Sequence, residues 1–145
     1  MTHSELCLLG AKWLINQKTW KFRCQYVVTE FTSISQESPD IFGLKGGWST
    51  ILVEVKMSRS DYFADKKKRH REGKGIGLTR YYLCPKGLIR PEELPAKWGL
   101  LYCDNDKISV VKESEGFEER DFADEVSIFY SIIRRLSKRG ILFKT

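Results

Sequence analysis

The chain has little of what disulfide-stabilised and zinc-binding proteins use. Its 145 residues include four cysteines, none of them spaced as a CxxC pair, and two histidines, His3 and His70. Structural zinc sites usually need closely spaced cysteines and histidines, so a zinc site is not expected from these spacings. Cys24 and Cys84 lie in strand-like runs and are predicted to be small buried apolar residues.

Long apolar runs are also missing. The N-terminal residues do not form the apolar core of a secretory leader, and no apolar stretch approaches the length that spans a bilayer. We therefore expect an intracellular protein of the reducing cytoplasm, with no membrane partner.

Acidic residues are outnumbered, since 19 Asp and Glu stand against 25 Lys and Arg, which gives a net charge of +6. A basic balance favours a polyanionic partner such as nucleic acid.

The length and the hydrophobic fraction of 41% predict one domain over residues 1–145 with a packed core. Helical spacing of apolar residues, alternation and turn residues divide the chain into nine elements. We predict a fold of the α/β class, with a mixed central sheet flanked by helices. The predicted elements are a helix to about Lys18 with a Thr2–Glu5 capping box, strands at 22–31, 40–44 and 50–57, a helix at 60–71, a strand at 80–84, a hairpin of 100–103 with 108–111, and a helix at 124–138.

The strand that contains Glu54 and Lys56 is the most informative part of the sequence. It reads Ile51-Leu52-Val53-Glu54-Val55-Lys56-Met57, an apolar run that carries two charges. Side chains two apart share one face of a strand, so Glu54 and Lys56 are expected to point the same way. Charges in an apolar central strand are costly to bury and suggest a function. The plain alternative is a cross-strand ion pair on a surface-facing edge strand.

A second carboxylate, Asp40, precedes this strand across a glycine-containing turn. Two carboxylates are the usual protein ligands of Mg²⁺ or Mn²⁺, which activates water and polarises a phosphoryl oxygen. We therefore predict that Asp40, Glu54 and the main-chain carbonyl of Val55 bind the metal ion. Nearby negative charge favours the ammonium form of Lys56, so its predicted roles are to orient the attacking water and to stabilise the transition state.

Pro39-Asp40, followed by Glu54-Val55-Lys56, resembles the motif of the PD-(D/E)xK nuclease superfamily. The downstream residues 54–67, Arg80 to Pro85 and Leu94 to Leu101 are similar to the MmcB-like branch of putative DNA-repair nucleases. The resemblance covers about residues 25 to 104. It implies a restriction-endonuclease-like three-layer core and metal-dependent DNA cleavage in repair or recombination, with catalytic Asp40, Glu54 and Lys56. It also implies Glu30 as a second metal ligand, and it leaves open whether the protein acts as a homodimer.

A dense basic run follows the central strand, and it is predicted to bind phosphates without reading bases. Trp48 is assigned to loop packing, near enough to the site to stack on a base. Asp61 is interpreted as a helix-cap acid and Asp65 as part of a solvated helix face. The predicted nucleic-acid-binding residues are Lys66, Lys67, Lys68, Arg69, Arg71 and Lys74.

Two further interpretations remain open at the level of sequence. A nuclease fold without activity could bind DNA or a protein partner, for instance as a mobile-element or anti-defence factor. The residues also leave RNA open as the substrate.

Overall fold

The computed structural model describes residues 1–30, 38–68 and 74–140. Within these residues the strands form one mixed sheet in which spatial order follows chain order. The third, fourth and fifth strands run parallel, and the remaining neighbours are antiparallel. The strands are β1 (Tyr26–Thr29), β2 (Ile41–Gly46), β3 (Ser49–Val55), β4 (Thr79–Pro85), β5 (Gly99–Asp104) and β6 (Lys107–Lys112).

The helices are α1 (His3–Ile15), α2 (Arg59–Lys66) and α3 (Phe122–Lys138), with a 3-10 turn at Pro91–Glu93. This element order and the mixed sheet confirm the predicted α/β class. The capping box that begins α1 is also present, because Thr2 and Glu5 exchange side-chain to backbone hydrogen bonds.

Several element ends differ from the prediction. Helix α1 ends at Ile15 and not near Lys18. Helix α2 ends at Lys66, whereas we predicted that it reaches Arg71, which lies outside the described residues. The residues from Lys66 to Arg71 are all charged or histidine, so their sequence lacks the apolar side chains that would extend the packed face of the helix.

The first strand is also shorter than predicted. It covers Tyr26–Thr29, while Phe22 packs into the core before the strand begins and Phe31 lies outside the described residues. Strand β3 ends at Val55, two residues before the predicted end.

Alternation along β3 assigns its side chains to two apolar layers. Val53 and Val55 pack on one face of the sheet in the cluster that contains Leu6 and Leu14 of α1. Leu52 packs on the other face, in the cluster with Tyr62 of α2 and Ile128 of α3. The result is a three-layer α/β arrangement, and Glu54 falls on the same face as Leu52, beneath α2.

Helix α3 is attached to the sheet by a buried carboxylate. Glu125 accepts a hydrogen bond from the N–H of Gly77 at 2.9 Å, and its Oε2 lies 3.4 Å from Nε of Arg120. The hydroxyl of Thr50 donates to the same carboxylate at 3.3 Å. Burial raises the pKa of Glu125 above its ordinary value, and the hydrogen bond from Gly77 partly offsets this. These contacts lie at the start of β3 and β4.

Strand β6 forms one edge of the sheet and is mostly exposed. Val110 and Val111 are partly solvent-exposed on it, between Lys107 and Lys112 at its two ends. Among the described residues, no helix is long and apolar enough to cross a membrane.

Candidate active site

Three carboxylates lie in one row across neighbouring strands. Thr29 pairs with Ile41, and Ile41 pairs with Val53, so the next position along each strand is Glu30, Asp40 and Glu54. The first two members of this row are joined by a backbone hydrogen bond, in which the N–H of Glu30 donates to the carbonyl of Asp40 at 2.7 Å. The acids predicted from distant parts of the sequence therefore meet at one end of the sheet.

Asp40 is held against the end of β3. The N–H of Val55 donates to its Oδ2 at 2.8 Å, which places the Asp40 carboxylate beside the backbone that follows Glu54. The N–H of Val55 and Nε2 of His3 both contact Oδ2 of this carboxylate. The predicted third ligand is the carbonyl oxygen of Val55, the residue whose N–H binds Asp40.

The pKa of the buried Cys7 thiol is affected by the nearby carboxylates. The pKa of Cys7 is raised to about 12, first by burial and then by the carboxylates of Asp40, Glu30 and Glu54. The three carboxylates are thus close enough to Cys7 to oppose its ionisation.

Lys56 is held under helix α2 by a buried acid. Its Nζ lies 3.3 Å from Oδ1 of Asp65, and the side chains are 13% and 2% exposed. The hydroxyl of Tyr82, whose residue pairs with Glu54 on β4, donates to Oδ2 of Asp65 at 2.5 Å. Glu54 itself is 5% exposed. The edge-strand alternative for Glu54 and Lys56 is therefore wrong, because β3 is a central strand and both side chains are covered.

The assignment of Asp65 to a solvated helix face is also wrong. Tyr62 and Asp65 are three residues apart, which places both on the side of α2 that faces the sheet. Asp61, by contrast, is exposed in the first turn, where its N–H donates to the hydroxyl of the N-cap Ser58 at 3.2 Å. Asp65 is thus a site residue that sequence analysis missed.

His3 is a second residue that sequence analysis missed. Its Nε2 lies 3.4 Å from Oδ2 of Asp40, and its Nδ1 lies 3.3 Å from Oε1 of Glu30. The hydroxyl of Ser4 donates to the same oxygen of Glu30 at 2.8 Å. Helix α1 therefore begins directly over the row of acids. Its sequence contained one indication, since His3 and Cys7 are one helical turn apart.

The basic run is only partly available to a ligand. Lys67 and Lys68 are exposed, and Nζ of Lys68 also lies 3.5 Å from Oδ1 of Asp65. Lys66 is half-buried and donates to the carbonyl of Glu93, so it is committed to the fold. Arg69 and Arg71 lie outside the described residues. Lys74 is exposed on the segment that leads into β4, at the end of the sheet remote from Glu54.

The proposed stacking role of Trp48 is wrong. Trp48 is 69% exposed in the turn between β2 and β3. Glu54 is six residues further along an extended strand, which corresponds to about 20 Å. The ring of Trp48 instead lies near the guanidinium of Arg120.

Comparison with known proteins establishes the fold and nothing finer. No protein-family model matches the chain, and no curated protein matches it. The structure is similar to that of SPO1766, a protein of unknown function from Silicibacter pomeroyi, with a TM-score of 0.65 and 21% identity. The similarity covers 94% of this chain and 90% of that chain. It supports the three-layer α/β architecture.

Proposed function

We propose that the protein is a divalent-metal-dependent nuclease that hydrolyses DNA phosphodiester bonds. The observation that carries the proposal is the placement of Asp40 beside Glu54 at one sheet end, with Lys56 directly after the strand that carries Glu54. The sequence resemblance to the PD-(D/E)xK superfamily supports the same assignment.

Asp40, Glu54 and the carbonyl of Val55 would hold Mg²⁺ or Mn²⁺, and Glu30 is the proposed ligand of a second ion. The ion supplies an activated water and charge for the phosphoryl oxygens. Two carboxylates about 4 Å apart repel by roughly 4 kcal/mol at an effective dielectric constant of 20, and the bound cation removes that repulsion.

Lys56 is the proposed transition-state residue. Asp65 accepts from Tyr82 through one oxygen and contacts Lys56 through the other, so the ammonium is held in one position. A fixed ammonium suits the orientation of a water molecule and the stabilisation of negative charge on phosphorus-bound oxygens.

Phosphate binding is proposed for the exposed lysines at the end of α2. Lys68 lies near the site because its amine contacts Asp65, and the neighbouring Lys67 is exposed. Contacts of this kind give affinity that depends on salt and not on base sequence. The protein is proposed to act in the cytoplasm on repair or recombination substrates. The cleavage assay described next also tests an RNA substrate.

The decisive experiment measures cleavage of plasmid, single-stranded DNA and RNA with Mg²⁺ or Mn²⁺, and with a chelator. We expect metal-dependent cleavage that falls by about 10²–10⁴-fold in Asp40→Asn, Glu54→Gln and Lys56→Met, the range seen when a catalytic group is removed. Glu113→Gln and Lys112→Met, on the exposed side of the molecule, are the matched charge controls and should cleave like the parent. Equal cleavage by Glu54→Gln and the parent would contradict the assignment.

One observation favours the second candidate, a non-cleaving protein that binds DNA or a protein partner. The amine of Lys56 lies 3.3 Å from Oδ1 of Asp65, so a phosphate oxygen would have to share that amine with the carboxylate. If this interpretation is right, the parent binds its partner without cleavage at any metal concentration, and Glu54→Gln binds as tightly as the parent.

A further inference from the structure

Beside the row of acids, three chemically different ligand atoms converge at the start of α1. Nδ1 of His3 lies 3.3 Å from Oε1 of Glu30 and 3.7 Å from Sγ of Cys7. The three atoms all lie within 4.8 Å of one another. We call His3, Cys7 and Glu30 the helix-start cluster. It combines a nitrogen, a sulfur and an oxygen donor from two elements of the fold.

We propose that the helix-start cluster binds a Zn²⁺-class transition-metal ion, distinct from the Mg²⁺ or Mn²⁺ ion proposed for Asp40 and Glu54. Glu30 would then bind this ion and not a second Mg²⁺ or Mn²⁺ ion. A tetrahedral ion with bonds of about 2.1 Å to nitrogen and oxygen and about 2.3 Å to sulfur separates its ligand atoms by roughly 3.4 to 3.6 Å. The observed 3.3 Å and 3.7 Å are close to those separations, and the sulfur and oxygen atoms lie within 4.8 Å of each other.

The chemistry of the donors selects the type of metal. Mg²⁺ prefers oxygen ligands and is not bound by thiolates, whereas thiolate and imidazole suit zinc and similar ions. Cys7 is fully buried, and its sulfur faces the partly exposed His3 at 3.7 Å. Cys7 would bind as the thiolate, and its proton would pass to the solvent.

The surroundings of the helix-start cluster orient two of the ligands. His3 presents Nδ1 to the cluster while its Nε2 lies 3.4 Å from Oδ2 of Asp40. A carboxylate on the second nitrogen is the usual way in which a metal-bound histidine is fixed in one tautomer. The hydroxyl of Ser4 donates to Oε1 of Glu30 at 2.8 Å and fixes that carboxylate.

Sequence spacing pointed away from this site, because the chain lacks paired cysteines. The fold changes that conclusion by bringing Glu30 from the end of β1 to the first turn of α1, where His3 and Cys7 share one face. Three protein ligands leave a fourth position for water, which is the pattern of an open zinc site. The inference does not depend on the proposed nuclease activity.

The test is a titration of the full, tag-free chain with Co²⁺, a spectroscopic substitute for Zn²⁺, in the absence of nucleic acid. We expect one Co²⁺ per chain with a sulfur-to-cobalt charge-transfer band that Zn²⁺ abolishes by displacement. Cys7→Ser should lose the band, and Cys103→Ser, a control at another buried cysteine, should keep it. A parent without a thiolate band at saturating Co²⁺ overturns the proposal, and so does a band that survives Cys7→Ser.

If Cys7→Ser does not fold, as judged by circular dichroism, the other two ligands decide. His3→Gln and Glu30→Gln change partly exposed side chains, and each should weaken Co²⁺ binding by at least about 10-fold. Unchanged Kd values in both variants overturn the proposal. Glu54→Gln should keep the cobalt band while it loses Mg²⁺-dependent cleavage, so failure of the nuclease assignment and failure of this one are distinguished.

Discussion

Replacing Asp65 by asparagine removes the buried negative partner of Lys56 and leaves the side-chain shape almost unchanged. At 3.3 Å the attraction between the two charges is about 5 kcal/mol for an effective dielectric constant of 20. Desolvation of both groups offsets much of that attraction, and breaking a buried ion pair by removing one partner costs about 3–5 kcal/mol. Because asparagine can still accept from Tyr82, we expect the lower value, about 3 kcal/mol of unfolding free energy.

The measurement is urea unfolding at neutral pH, followed by circular dichroism and tryptophan fluorescence. Asp61→Asn is the matched control, since Asp61 is exposed on the same helix and should cost less than about 1 kcal/mol. Adding Lys56→Met to Asp65→Asn removes the uncompensated charge, so the double variant should be more stable than Asp65→Asn alone. An Asp65→Asn protein within about 1 kcal/mol of the parent would refute the reasoning.

Three further predictions concern the rest of the fold. Hydrogen bonds from Arg59 hold the pKa of Glu93 at about 2, below the ordinary 4.5. The charged form therefore stabilises the fold above pH 4.5, and the difference in Tm between the parent and Glu93→Gln should narrow as the pH falls toward 2. A Tm difference that stays constant over this pH range would contradict the stabilising role of the charged Glu93. Gly43→Ala should cost about 1–3 kcal/mol by overpacking in urea unfolding, because the new Cβ would lie 2.5 Å from Sγ of Cys24. The four cysteines are buried, so a thiol reagent should react slowly with the native protein and quickly in urea; rapid native labelling would contradict this packing.

The sequence was sufficient for the elements and for the row of acids. Alternation in β3 predicted that Glu54 and Lys56 share a face, and the structure places both on the α2 side of the sheet. Asp40 and Glu54 meet because β2 and β3 pair antiparallel, so that a residue just before one strand lies beside a residue near the end of the next. These are local relations, and periodicity is enough to determine them.

Relations between layers were not predictable in the same way. Asp65 is a charged residue of the type usually found on the solvated face of a helix. Only the crossing of α2 over β3 shows that it is buried against Lys56. His3 likewise becomes a site residue because α1 begins above the row of acids, which no spacing in the sequence reveals. Trp48 was misplaced because it is near Glu54 in the sequence, while an extended strand carries the two to opposite ends of the sheet.

The outer strand β6 has a consequence for handling this protein. Among the described strands β6 lies at the sheet edge, where its backbone and the side chains of Val110 and Val111 form a template on which another β-strand could add. Lys107 and Lys112 oppose that addition, since a second copy would bring like charges together. Chemical acetylation of surface lysines, or mutation of both to neutral residues, should therefore turn a well-behaved preparation into one that self-associates and seeds fibrils.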